Sequence, residues 1–395
     1  MNAERSRGCP VCASLDVEMF FHRDAVPVFC NVLYPTVAEA RTAQRGTITL
    51  GSCNACSHIY NVAFDPKRVA YTGAYENSLH FSPHFQTYAE QLARSLIERY
   101  NVMDTTVLDI GCGKGEFLDL LCTLGNNRGI GFDASYVAEH ITHLSPERLT
   151  FVRENFSEHA AHIAAALVSC RHVLEHVSNP RALVAAIAAT TRNALNAVVY
   201  IEVPHALWTF ERLGIWDVIY EHCAYFTPLS LRFLLEGCGL HVIRLYEAFD
   251  GQYLSAECTA QRSARDAEPE ERTSASQWLP FLRAFSEKYK QNVETWRTRL
   301  AALHSEGKRV VVWGGGSKGV TFLNAVDVPH TVSCVVDVNP RKHGLFTAGT
   351  GHRVVSPQEL VLHSPDVVIV MNRVYEQEIR TTLTSLGLAP ALFFA

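Results

Sequence analysis

Residues 106–118, TVLDIGCGKGEFL, restrict the fold more than any other stretch of this chain. A short apolar run carries Asp109 at its end. Three glycines follow at alternate positions, Gly111, Gly113 and Gly115, and then an apolar series at helical spacing, GEFLDLLCTLG. Glycines let a backbone take positive φ and let a ligand approach it closely. A strand that turns directly into a helix needs a parallel neighbour, because the helix carries the chain back along the sheet. The next 150 residues supply such neighbours. NRGIGFD, RLTFV, AALVSC and AVVYIEVP read as strands. VAEHITHL and PRALVAAIAATTRNAL read as helices between them, and LHVIRLYEAF and QYLSAECTA as closing strands. Alternation of this kind predicts a doubly wound α/β unit.

One such unit does not account for 395 residues, so two or three domains are expected. With 48% hydrophobic and 19% charged residues, large cores can be buried and global disorder is excluded. The net charge of −5 leaves no overall basic footprint for nucleic acid. No run approaches 18 apolar residues, and MNAERSRGCPVC has charges but no apolar core of a signal peptide. These features predict a cytoplasmic protein with no membrane and no nucleic-acid partner. Its oligomeric state is open, and a monomer fits.

The polar stretch QRSARDAEPEERTSAS marks the clearest boundary. A long helical pattern follows to Gly307, and then a second strand–glycine loop–helix, KRVVVWGGGSKG, with strands VSCVVDVNP and PDVVIVMN beyond it. The expected division is 1–65 as a cysteine module and 66–258 as the first α/β domain, with 66–100 as its helical lead-in. Residues 259–306 are then linker and long helix, and 307–395 a second Rossmann-like domain.

Among twelve cysteines, four form two Cys-x-x-Cys turns, Cys9 with Cys12 and Cys53 with Cys56. Two such turns close a tetrahedron around Zn2+, and four thiolates leave no open position, so the ion would be structural. The bland alternative is two reduced turn pairs. A redox role would want a βαβ context, which residues 1–65 lack.

The string Asp109-x-Gly111-x-Gly113-x-Gly115, with Asp133 ending the next strand, resembles motif I of class I S-adenosylmethionine (SAM) methyltransferases. A dinucleotide loop would run G-x-G-x-x-G, and here the third glycine comes one residue early. That resemblance implies SAM as cofactor and S-adenosylhomocysteine as product. Asp133 would then take the ribose hydroxyls, while Asn155 and Phe156 would meet adenine. His172, after the fourth strand, falls where open α/β sheets bind ligands. Packing alone is the rival reading for Phe156.

Taken with the cysteine module and the rear unit, IEVPHALWTFERLGIWDVIYEHCAYFT resembles the nucleotide-sugar C-methyltransferases of deoxysugar pathways. The resemblance implies a zinc module, a SAM domain and a Rossmann-like rear domain. It also implies methylation of a carbon beside a ketone on a nucleoside-diphosphate sugar. A C–H carbon is no nucleophile until a base removes its proton, and histidine titrates in the useful range. By the resemblance His222 is the base and Glu221 its partner or substitute. His176, Tyr75 and Tyr225 fall on further active-site positions. Where the family has a tyrosine two residues before the glutamate, this chain has Ile219; Tyr220 directly precedes Glu221. For each singled-out histidine the plainer reading is a packed or surface residue.

Gly314-x-Gly316-x-x-Gly319, followed by Asp337, formally matches the dinucleotide pattern and on its own suggests NAD. The family resemblance instead puts this loop on the substrate side, with Gly316, Lys318 and Asn324 as substrate-binding residues; Lys318 suits a diphosphate. A purely structural loop is the third reading. An O- or N-methyltransferase acting on another small molecule, and a ligand-binding adaptor, are the rival functions.

Overall fold

In the computed structural model, which describes residues 8–138, 146–194, 196–260, 278–326 and 330–395, the glycine-rich segment lies at the centre of the larger of two α/β sheets. Three sheets organise the chain. The first is antiparallel and carries the cysteines: β1 (Val17–Pro27), β2 (Arg45–Cys53) and β3 (Ile59–Asn61), with the short helix α1 (Val37–Arg41) between β1 and β2. The chain then runs irregularly to α2 (Pro83–Tyr100). The expected helix over 66–100 therefore forms only in its second half. Ser82 accepts the Phe85 amide and Pro83 occupies the first turn, a strong start signal.

The second sheet has seven strands. They are β4 (Thr106–Ile110), β5 (Arg128–Phe132), β6 (Leu149–Val152), β7 (Leu167–Arg171), β8 (Val198–Pro204), and, after an interruption, β10 (His241–Ala248) and β11 (Tyr253–Thr259). Their order is β10-β11-β8-β7-β4-β5-β6. β6 to β8 are parallel, and β11 runs antiparallel beside β8. This is the class I SAM methyltransferase arrangement, with the last strand inserted against the run of the others. Helices α3 (Glu116–Gly125) and α4 (Pro180–Thr190) connect its parallel strands. The helix expected from VAEHITHL falls largely outside the described residues, as does the polar boundary at 261–277.

Between β8 and β10 come α5 (Ala206–Phe210), β9 (Ala224–Tyr225) and α6 (Pro228–Gly237). β9 does not join the seven-stranded sheet. It pairs with β3, Ile59 opposite Tyr225 and Tyr60 opposite Ala224. The segment carrying Glu221 and His222 is thereby fastened to the cysteine module.

The long helix α7 (Leu279–Ser305) lies on β1, with Phe285 packed edge-on against Phe20, Phe21 and Phe210. It leads to a third, fully parallel sheet. Its strands are β12 (Val310–Trp313), β13 (Val332–Val336), β14 (Val354–Val355), β15 (Val367–Val370) and β16 (Ala391–Phe394), in the order β14-β13-β12-β15-β16. Helices α8 (Ser317–Val326), α9 (Leu360–His363) and α10 (Glu376–Ser385) cover it. None of the described helices is long and apolar enough to cross a membrane.

Candidate active site between two glycine loops

In an open α/β sheet, ligands bind at the carboxyl ends of the strands where the strand order reverses. The larger sheet reverses between β4 and β7, and the rear sheet between β12 and β15. The loops after β7, β12 and β15 line one cleft of about 260 Å³, whereas the glycines after β4 are not part of its lining. His172, Glu175 and His176 line it from β7. Gly314, Gly316 and Lys318 line it from β12, and Met371 and Asn372 from β15. Tyr75, Trp208, Ile219 and His222 complete the wall near the first sheet.

At the first loop Gly111, Gly113 and Gly115 all have positive φ, 69°, 56° and 85°. A Cβ on Gly111 would lie 2.1 Å from a Val173 methyl, so that glycine is needed for packing. A Cβ on Gly113 would meet nothing within 4 Å, so that glycine borders open space. The Gly113 amide donates to Asp133 at 2.8 Å, and the other Asp133 oxygen accepts from Ser135. Asp109 is held by the Ser169 hydroxyl, and burial pushes its carboxyl up to about 6. Phe156 packs edge-on against Phe132, immediately before Asp133; Asn155 is exposed. Gly113, Asp133 and Phe156 are therefore the residues at this loop that could hold SAM.

His172 stands apart from this loop. It lies on the cleft wall at φ 55°, between Glu202 (3.1 Å) and Glu175 (3.6 Å). Burial opposes its charge, but the two carboxylates outweigh burial and raise its pKa to about 9. Glu202, fully buried, also holds Arg171 at 2.8 Å, which fixes the end of β7.

His222 and His176 come together, ring centroids 5.0 Å apart. Burial lowers both, to about 3 and about 4. His176 Nδ1 lies 3.0 Å from the Glu221 carbonyl and 2.7 Å from the Tyr71 hydroxyl. A carbonyl only accepts, so Nδ1 carries the hydrogen and Nε2 the lone pair. His222 Nδ1 is buried without a partner.

Glu221 is not the carboxylate beside His222. Its Oε2 accepts the Cys30 amide at 3.0 Å, and burial raises it to about 7. The carboxylate that reaches the two histidines is Glu175, 2% exposed, with its Oε2 unpartnered. Sequence reasoning missed it; the only signal was its place in HVLEHV, beside His176. Tyr71, also missed, lies in a stretch with no periodic signal. Tyr225 donates to the Ile219 carbonyl at 3.4 Å, behind the cleft. Tyr220 points away too, its hydroxyl accepting the Asp65 amide, while Ile219 lines the cleft.

In the rear loop a Cβ on Gly319 would lie 1.9 Å from the Gly314 carbonyl oxygen, so this glycine seats α8 against the turn. Asp337 accepts the Gly315 amide at 2.9 Å and Lys342 Nζ at 3.2 Å. Lys318 Nζ reaches Asp217 at 2.9 Å and Gln252 at 3.2 Å. Gln252 and Asn372 join the two α/β units through a paired amide contact, 2.9 and 3.1 Å. Asn324 is not on the cleft; it bonds the Val320 and Ala348 carbonyls.

The four cysteines converge, with Sγ–Sγ separations of 3.6 Å for Cys9–Cys56 and 3.4 Å for Cys12–Cys53. A tetrahedral Zn2+ with bonds of about 2.3 Å wants about 3.8 Å. The donor set fits the ion with a small expansion.

Residues 85–245 match the family model of a methyltransferase domain, and residues 252–389 that of a C-methyltransferase C-terminal domain. The chain is a SAM-dependent methyltransferase. It is 24% identical over 300 residues to C-methyltransferase NovU of Streptomyces niveus, covering 72% of this chain and 70% of that one. It is 38% identical over 87 residues to the ubiquinone biosynthesis O-methyltransferase of Cronobacter sakazakii, covering 21% of this chain and 36% of that enzyme. Similar solved structures include a SAM-dependent methyltransferase from Aquifex aeolicus (15% identity, 42% of this chain and 88% of that one, TM-score 0.34). Another is the SAM-bound magnesium protoporphyrin IX methyltransferase of Synechocystis PCC 6803 (17% identity, 47% and 86%, TM-score 0.33).

Proposed function

We propose that this methyltransferase moves the methyl group of SAM to a carbon beside a ketone on a nucleoside-diphosphate deoxysugar. The supporting observation is the cleft itself. Its lining brings His222, His176 and Glu175 together with a glycine loop that carries Lys318, and with Lys342. Neutral His222 accepts the proton α to the ketone. Glu175, beside it, steadies the imidazolium that forms. The enolate carbon then attacks the SAM methyl, and S-adenosylhomocysteine leaves. The rear loop and the two lysines receive the diphosphate, displacing Asp217 and Asp337 as their partners. Zn2+ on Cys9, Cys12, Cys53 and Cys56 holds the module to which β9, and so His222, is fastened.

The likeness to an O-methyltransferase over 87 residues supports a second reading, transfer to a hydroxyl of another small molecule.

Calorimetry with the full chain separates the two. SAM should bind and lose affinity in Asp133→Ala. Nucleoside-diphosphate ketosugars should bind to the same protein and lose affinity in Lys318→Ala and Lys342→Ala. Binding of SAM with no response to any nucleoside diphosphate overturns the sugar-nucleotide substrate.

A further inference from the structure

Two features of the cleft wall go beyond what proton transfer needs. Glu175, His176 and His222 each present one donor atom, and the three atoms lie within 4.8 Å of one another. Two of the three residues carry a buried polar atom with no partner, Glu175 Oε2 and His222 Nδ1. Glu175 Oε1 faces His172 at 3.6 Å, and His176 Nδ1 is bound by the Glu221 carbonyl and the Tyr71 hydroxyl. His176 is thus held by a backbone group on one nitrogen, and His222 Nδ1 is buried without a partner. Outer partners orient metal-bound imidazoles in this way.

We propose that Glu175, His176 and His222 bind one divalent ion of the zinc type, separate from the four-cysteine site and open to the cleft at its remaining position. Two imidazoles and one carboxylate, with an open position, suit Zn2+, Co2+ or Ni2+, whereas Mg2+ and Ca2+ prefer oxygen donors. The ion takes the same His222 lone pair that the base reading gives to the substrate proton. Filling the site therefore stops methyl transfer. The site itself rests on the geometry, and only this inhibitory consequence rests on the base reading.

The test loads the full-length protein with one equivalent of Zn2+, which the four thiolates take, and then titrates Co2+ by visible absorption. One further equivalent should bind with the weak bands of nitrogen and oxygen ligation and no intense thiolate-to-cobalt band. Excess Mg2+ should not displace it. Glu175→Gln, His176→Ala and His222→Gln, each checked for fold by circular dichroism, should weaken Co2+ binding about tenfold or more. No Co2+ bound by the zinc-loaded protein overturns the site. So does thiolate ligation alone, or affinity unchanged in all three variants. Activity separates the two readings. Transfer that falls with Co2+ and returns on mild chelation supports both. Transfer that requires the ion keeps the site and removes His222 from the base role.

Discussion

Asp109 shows how much a single buried carboxylate decides at the cofactor loop. It is 4% exposed, and burial raises it from its ordinary value of 3.8 to about 6. A folded-state pKa above the unfolded one means that the native state holds the proton more tightly. The charge is tolerated below pH 4 only because it is absent, and it costs stability as pH rises through 6. Two units correspond to about 3 kcal/mol at most. Asp109→Asn should therefore be more stable than the parent protein above pH 6 without SAM, and the gap should close near pH 4; thermal unfolding across pH reads this. The loop glycines divide in the same experiment. Gly111→Ala combines φ 69° with a 2.1 Å clash and should lose about 2 kcal/mol or more of stability. Gly113→Ala pays only for its φ of 56°, about 1 kcal/mol, but should bind SAM far more weakly, because its Cβ enters the space the cofactor needs. At this scale spacing was enough to bring residues together: the glycines take positive φ, Gly113 bonds Asp133, and the four cysteines converge. It was not enough for Glu175. Nothing in one chain says that a glutamate after β7 meets a histidine 47 positions later.

At the scale of elements, β9 is the connection that matters most. Two residues, Ala224 and Tyr225, pair with β3, whose neighbour β2 ends in Cys53. Periodicity cannot reveal a two-residue strand, which is why the Glu221–His222 segment reads in sequence as part of the seven-stranded unit. The pairing would give the proposed Zn2+ a mechanical role. Removing Zn2+ with a strong chelator should speed backbone hydrogen exchange over 221–226 and lower methyl transfer, although no cysteine touches the cleft. Exchange over β4 and β5 should be unchanged. Among the longer elements, α3 and α4 were legible from apolar spacing. The helix α6, which Thr227 and Ser230 cap reciprocally, was not read, and α2 begins at the Ser82-Pro83 cap rather than at 66.

For the whole molecule, the decisive arrangement is one cleft lined by the loop after β7 of the larger sheet and the loops after β12 and β15 of the rear sheet. Both glycine loops were visible as motifs, and the larger sheet was visible as alternation. Their mutual orientation was not, because it depends on α7 lying across β1 and on the Gln252–Asn372 contact, which are long-range pairings. Asp337 accepts the Gly315 amide and Lys342 just as Asp133 accepts the Gly113 and Ser135 amides, so the two glycine loops are braced alike. The most direct test of the account is the fate of the methyl group. The protein is incubated in D2O with SAM labelled with 13C at the methyl carbon and a panel of nucleoside-diphosphate ketosugars, and the products are read by NMR. The account predicts a labelled methyl bonded directly to a sugar carbon, with deuterium entering the position beside the ketone in unreacted substrate, and neither event in His222→Gln. A label found on oxygen or nitrogen, with no deuterium entering that carbon, would contradict it.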